Sequence, residues 1–200
     1  MDRAHGLLSC VAVALLLTGC LGPGTTRSAR LFVLNATATP GGSAARATDL
    51  RLGVGRISLP ELLNRPQIVT RTGANKVRVA EFSLWAEPLE KSIPRVLSEN
   101  LARLIGTDQV SVYPWPTQME IDFTVEIAVI RFEGNTDREV SLAARWRWIR
   151  ANGSQVHPLQ ASSYTESTAD RSTEALVAAM SRALASLSRD IASAIAIASP

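Results

Sequence analysis

The side chains in this sequence that could do chemistry are few. Two cysteines, Cys10 and Cys20, and two histidines, His5 and His157, are its whole stock of soft metal ligands. A structural zinc site takes four Cys, His or carboxylate donors, and beyond Cys20 the chain offers only His157, beside Pro158. Glu120, Asp122 and Glu126 bring three carboxylates close together in sequence. A pair of them could serve as the acid and base that cleave a glycoside, but their alternation with apolar residues puts them on the wet face of a strand. Gly53-Val54-Gly55 is a fragment of a dinucleotide loop that lacks the third glycine, and Pro60 stands where a helix should open. No Walker loop and no Gly-x-Ser-x-Gly elbow occurs. No catalytic residue, metal or cofactor is expected.

Cys20 has a different chemistry. Met1-Asp2-Arg3-Ala4-His5-Gly6 precedes an apolar run from Leu7 to Leu17. A charged start, an apolar stretch of about 7–15 residues and a small-residue exit make a secretory signal. The run is shorter than the roughly 20 apolar residues of a bilayer span. Its exit, Leu17-Thr18-Gly19-Cys20, resembles the lipobox of bacterial lipoproteins. The resemblance implies diacylglycerol in thioether linkage on Cys20, cleavage before it, and acylation of the new N-terminus. Cys10 leaves with the signal, so Cys20 remains unpaired and no intramolecular disulfide can form. The expected organisation is a lipoprotein signal peptide over 1–19, a lipidated terminus and Gly/Pro/Thr/Ser/Arg tether over 20–30, and one domain over 31–200. Leu21 follows the cysteine where an Asp retains enterobacterial relatives in the inner membrane, so the resemblance implies the outer membrane, facing the periplasm. Asp2 and Arg3 cancel, and the net charge of +3 is spread over a mixed surface without a basic block, which argues against nucleic acid as a partner.

These residues need a scaffold, and periodicity predicts one. Leu31-Phe32-Val33-Leu34 is a candidate strand, and residues 35–49 are an aperiodic loop. Arg51–Leu59 reads as a second strand, ending at Pro60. Gln67–Arg71 and Lys76–Ala80 flank Thr72-Gly73-Ala74-Asn75 as a hairpin. Leu89, Ile93, Val96, Leu97, Leu101, Leu104 and Ile105 share one helical face, with Pro88 at the opening turn and Gly106 at the stop. Pro94 removes a backbone donor inside that helix and should kink it or mark its true start. From Met119 to Val129 and from Val140 to Trp148 apolar and polar residues alternate strictly around Gly134-Asn135-Thr136-Asp137, the pattern of a long hairpin with one buried face. A further strand is expected within 155–166, and a last helix from near Ser172 with Leu176, Met180, Leu184, Leu187, Ile191 and Ile195 as its stripe.

Tyr113-Pro114-Trp115-Pro116 cannot be helix or central strand, so it lies on a loop. Two readings are open. Tyr113 and Trp115 are an exposed contact for a partner or a lipid, or they fold back to cover the core. Trp85, Trp146 and Trp148 fit core or core-edge positions.

Three segments, taken in order, carry a family resemblance: Leu59-Pro60-Glu61-Leu62-Leu63-Asn64-Arg65-Pro66-Gln67-Ile68-Val69-Thr70-Arg71, then Phe82-Ser83-Leu84-Trp85-Ala86-Glu87-Pro88-Leu89, then Val96-Leu97-Ser98-Glu99-Asn100-Leu101. They resemble the ABC-type transport auxiliary lipoproteins. Leu62 stands where that family often has Tyr, and Leu84 where it often has Arg. The resemblance implies an α/β (α+β) fold, a mixed, largely antiparallel sheet with two long helices packed on it. It implies a non-enzymatic component of an MCE-type transport system for lipids or other hydrophobic molecules. The implied partners are an MCE-domain protein, its ABC permease and ATPase, and further copies of the chain in a ring. Leu59, Pro60, Arg65, Arg71, Trp85, Tyr113 and Trp115 are the candidate partner or lipid contacts. The rivals are a periplasmic binding module that holds a peptide, glycan or lipid in its own pocket, and a lipoprotein hydrolase.

Overall fold

The computed structural model describes residues 28–40 and 49–198. The expected signal peptide, the lipobox with Cys20 and most of the tether lie outside the described residues.

The longest ladder is the predicted hairpin, β6 (Phe123–Asn135) with β7 (Glu139–Arg150), and β8 (Gln160–Ser167) pairs with β7 beyond it, both antiparallel. The alternation does its expected work. Phe123, Val125, Ile127 and Val129 of β6 and Val140, Leu142, Ala144, Trp146 and Trp148 of β7 are all buried on one face. One expectation shifts: β6 starts at Phe123, not at Met119. The residues before it turn aside, because Met119 N bonds Pro116 O at 2.9 Å and Asp122 N bonds Arg51 O at 2.8 Å, so those donors are unavailable to a ladder.

The other edge of β6 is shared by two strands. β2 (Leu52–Ser58) lies parallel to Phe123–Ala128, and β3 (Gln67–Gly73) lies parallel to Gly134–Asn135. Between them a connection carrying a 3-10 turn at Glu61–Leu63 leaves the sheet and returns. β4 (Lys76–Trp85) pairs antiparallel with β3, β1 (Arg30–Phe32) pairs parallel with β4, and β5 (Val110–Val112) flanks β2. β4 runs five residues past the predicted end at Ala80, held at its last residue by Trp85 N to Pro66 O, 2.7 Å. The sheet is mixed, with its longest ladders antiparallel.

Two helices cover one face. α1 (Leu89–Ile105) packs on β2 and β5, α2 (Thr173–Ala198) packs on β6, β7 and β8, and the two pack on each other. α1 continues through Pro94, so its start is Leu89, with Pro88 just outside in an extended conformation (φ −52°, ψ 138°). Pro94 therefore leaves the Glu90 carbonyl without an intrahelical partner. Gly106 ends α1 at φ 78°, a left-handed position that favours glycine. In α2, Ala179 and Ala183 are fully buried between Met180 and Leu184, which lets the helix come close to its neighbours. Each buried Leu, Ile or Met side chain on these stripes contributes about 1.5–3 kcal/mol. Residues 33–38 then run across both helices. Asn35 N bonds Ser181 Oγ (3.2 Å), Ala38 N bonds Asn100 Oδ1 (2.9 Å), and Arg95 and Arg103 donate to the carbonyls of Leu34 and Ala36.

Candidate functional site

The helices leave the opposite face of the sheet open, and β6 and β7 alternate on it in register. Glu126 stands opposite Arg147, and Ala128 opposite Arg145. Arg147 donates to Glu126 at 2.8 Å. Gly53 and Gly55 of β2 keep the neighbouring strip of this face low, and Trp115 fills the space over Gly53. A Cβ there would lie 2.9 Å from Trp115 Cη2 and 3.3 Å from Ile121 Cγ2. The loop between β5 and β6 thus folds Trp115 back against the sheet but not into the core. Tyr113 meets Trp115 edge to face with centroids 5.5 Å apart and is 45% exposed. The Tyr113–Pro114 peptide is cis, and the Arg56 guanidinium lies 5.2 Å over the Tyr113 ring. Together with Arg145, Arg147, Glu126 and Leu159 these residues bound a cleft of about 750 Å³.

The other expected residues scatter. Leu59 and Pro60 are half-buried and Arg65 is exposed, all on the connection between β2 and β3. Arg71 is committed elsewhere: its Nε meets Glu133 Oε1 at 2.5 Å and its Nη1 donates to Ala74 O at 3.0 Å. Trp85 is 6% exposed within the core cluster, so its ring packs the interior and presents no surface to a partner. Tyr113 and Trp115 are the two that the fold brings together.

Each of the three clustered carboxylates meets an arginine, Glu120 and Asp122 sharing Arg51. Asp122 receives Arg51 Nη2 at 2.7 Å and the Arg51 backbone N–H at 2.9 Å, and Glu120 also bonds Arg51. The Arg51 hydrogen bonds hold the Asp122 carboxyl below the usual carboxylate range, against the opposing effect of burial. His157 stacks on Trp146 (5.6 Å, 5°) and its Nδ1 lies 2.9 Å from Pro158 O. Among the described residues no group of three His, Cys, Asp or Glu side chains is placed to hold a metal, and no helix is long and apolar enough to cross a membrane. A smaller cavity of about 400 Å³ opens beside the start of α2, with Arg78, Arg138, Asp170 and Arg171 among its lining residues. The Ser172 hydrogen bonds hold Asp170 below the usual carboxylate range.

Sequence reasoning missed Arg56, Arg145 and Leu159 as members of the site. The wet-face alternation already placed Arg145 and Arg147 together. It could not place β2 and the Tyr113 loop beside them, because that depends on which edge of β6 they occupy.

The domain is an α+β fold whose helices cover one sheet face and leave the other open, with aromatic and basic groups on it. The chain belongs to the ABC-type transport auxiliary lipoprotein family, whose model matches residues 32–192. It is 26% identical over 104 residues to the intermembrane transport lipoprotein PqiC of Escherichia coli K12, covering 52% of this chain, and equally to that of Shigella flexneri. The match spans about half the length (54%) of these curated relatives. Two solved structures share the fold. A Xanthomonas campestris protein has a TM-score of 0.71 at 16% identity, covering 84% of this chain and 95% of the other. An uncharacterized protein has a TM-score of 0.70 at 20% identity, covering 84% and 99%.

Proposed function

We propose that this chain is a lipid-anchored, non-enzymatic auxiliary component of an MCE-type ABC transport system that moves lipids or other hydrophobic molecules between the inner and outer membranes. The observation that carries this reading is the family match across residues 32–192, joined to the lipobox at Leu17–Cys20. The likeness to PqiC, an intermembrane transport lipoprotein, supports it. In this reading Cys20 bears the lipid, the domain faces the periplasm from the outer membrane, and the partners are an MCE-domain protein and its permease and ATPase. Copies of the chain associate in a ring that matches an MCE ring. The connection from Leu59 to Pro66 is the docking element, since it leaves the sheet between β2 and β3 and presents Arg65 to solvent.

Co-expression with an MCE-domain protein of the same organism tests the reading. The two proteins are expected to co-purify from detergent extracts, and Arg65→Glu is expected to weaken the complex at unchanged melting temperature. Absence of any complex with the wild-type chain would overturn the assignment.

A further inference from the structure

Three exposed apolar groups on the open face stand near its unpaired cations. Leu159 is 62% exposed, Tyr113 45% and Met119 42%. Met119 belongs to this face because its sulfur lies 3.0 Å from Ser111 Oγ, and Ser111 stands beside Gly53 in the β2–β5 register, on the side that Trp115 covers. Of the charged groups that line the cleft, Glu126 is matched by Arg147. Arg56 and Arg145 form no ion pair among the described residues, which leaves the cleft with two uncompensated positive charges, while beside Met119 the carboxylates of Glu120 and Asp122 share the one cation Arg51. Exposed apolar side chains of this size in one place mark a contact surface. Tyr and Trp beside Arg suit a boundary that is apolar on one side and wet and negative on the other.

The tether decides which boundary lies within reach. Seven residues, and so eight Cα-to-Cα steps, separate Cys20 from Ser28, the first described residue. Fully extended they span at most about 26–29 Å. If Cys20 is the anchor, the domain cannot leave the neighbourhood of its own bilayer. Tethering on this scale sets effective concentrations on the order of millimolar, so a weak attraction suffices to orient the domain.

We propose that the open face docks on the anionic leaflet that holds the anchor. Tyr113, Met119 and Leu159 enter the headgroup layer, Arg56 and Arg145 meet lipid phosphates, and Trp115 stands at the interface. This rests on the reading of Cys20 as a lipid anchor. It goes beyond the transport role, because it fixes which way the domain lies on its membrane.

Tryptophan fluorescence tests it directly. Trp85, Trp146 and Trp148 are 6%, 3% and 2% exposed, whereas Trp115 is half-buried, so a quencher in the lipid reads Trp115 above the rest. The full lipidated chain is reconstituted in vesicles with brominated acyl chains, made either of phosphatidylcholine alone or with phosphatidylglycerol. The anchor holds the chain on both, so quenching reports orientation and not attachment. On the anionic vesicles quenching is expected to be at least twofold stronger than on neutral ones and to be absent from Trp115→Phe. At 1 M salt, where the Debye length is about 3 Å, it should fall to the neutral level. Arg56→Gln with Arg145→Gln should do the same at unchanged melting temperature. Equal quenching on both vesicles overturns the proposal, as does Trp115 quenched by aqueous iodide on anionic vesicles and shielded only when the MCE protein is added. Failure of the chain to float with any vesicle overturns the anchor reading and this one together. Retention on vesicles with Trp115 unquenched overturns this one alone.

Discussion

Trp115 lies on Gly53: the ring of the one occupies the space where the other has no side chain, with Cη2 2.9 Å from the position a Cβ would take. Gly53→Ala therefore has to move the ring. The obstacle is the free edge of a side chain on a loop, so the cost should fall at the low end of the ~1–3 kcal/mol of an overpacked site. A red-shifted tryptophan emission with a melting temperature within a few degrees of wild type is expected. A large loss of stability with unmoved emission would show that the ring is locked and the strand gives way instead.

Two tryptophans should respond unequally to truncation. Trp148 is 2% exposed and meets Phe123 edge to face at 5.1 Å, so Trp148→Ala should cost about 3–5 kcal/mol. Trp115→Ala should cost no more than about 1.5 kcal/mol, because its ring covers an outer surface. Urea denaturation of both variants checks this, and a loss from Trp115→Ala equal to that from Trp148→Ala would contradict the placement.

Arg71 and Glu133 tie β3 to the end of β6. Glu133 has 5% of its side chain exposed, and its second cation, Arg131, is 3.7 Å away. Breaking a buried pair from one side typically costs about 3–5 kcal/mol because a charge stays behind. Arg71→Ala should lie near the lower figure, since Arg131 remains, and replacing both Arg71 and Glu133 by Leu should recover most of the loss. A double variant no better than the single one would mean that the pair sets the register of β3 and does more than neutralise a charge.

The Arg51–Asp122 bonds make stability depend on pH in one direction. The folded Asp122 carboxyl lies below its ordinary range because the Arg51 hydrogen bonds favour the charged form. Its contribution is thus fully present above the unfolded value, about 3.9, and is lost as pH falls through the depressed folded value. Asp122→Asn should lower the melting temperature at pH 7 and lose that decline in acid. Parallel wild-type and variant curves from pH 6 to pH 2 would remove Asp122 from the account.

In the proposed reading lipidation rests on one atom, the Cys20 sulfur. Labelled palmitate should enter the wild-type chain and not Cys20→Ser, and the wild type should sediment with outer membranes on a density gradient. Label retained in the variant, or recovery with inner membranes, would count against the anchor and the sorting rule respectively.

The strands and helices that bury a periodic face were legible in the sequence, because burial itself imposes the period. The β6–β7 hairpin, both long helices and the β3–β4 hairpin stand where the alternation and the spacing put them, and Pro94 fails to stop α1 because the buried stripe from Leu89 to Leu101 outweighs one missing hydrogen bond. The start of β6 was misplaced because Met119 and Ile121 continue the alternation while their backbone serves a turn and Arg51. The site was legible only in part. Tyr113 and Trp115 stand out as aromatics between prolines, but the cleft comes from β2 and β7 lying on opposite edges of β6. That placement depends on parallel pairings between strands some 70 residues apart, which leave no local signature.

The segment across the helices has a consequence in time. Asn35 and Thr37, near the beginning of the chain, find their hydrogen-bond partner at Ser181, 146 and 144 residues later. A chain that crosses a membrane from its N-terminus delivers the first half of this contact long before the second. Until α2 has followed, Leu34, which ends up fully buried, has no interior to enter and the sheet lacks half its cover. In an N-terminus-first export, the passage would have to be nearly complete before folding could close, and the incomplete chain would expose apolar strands in transit.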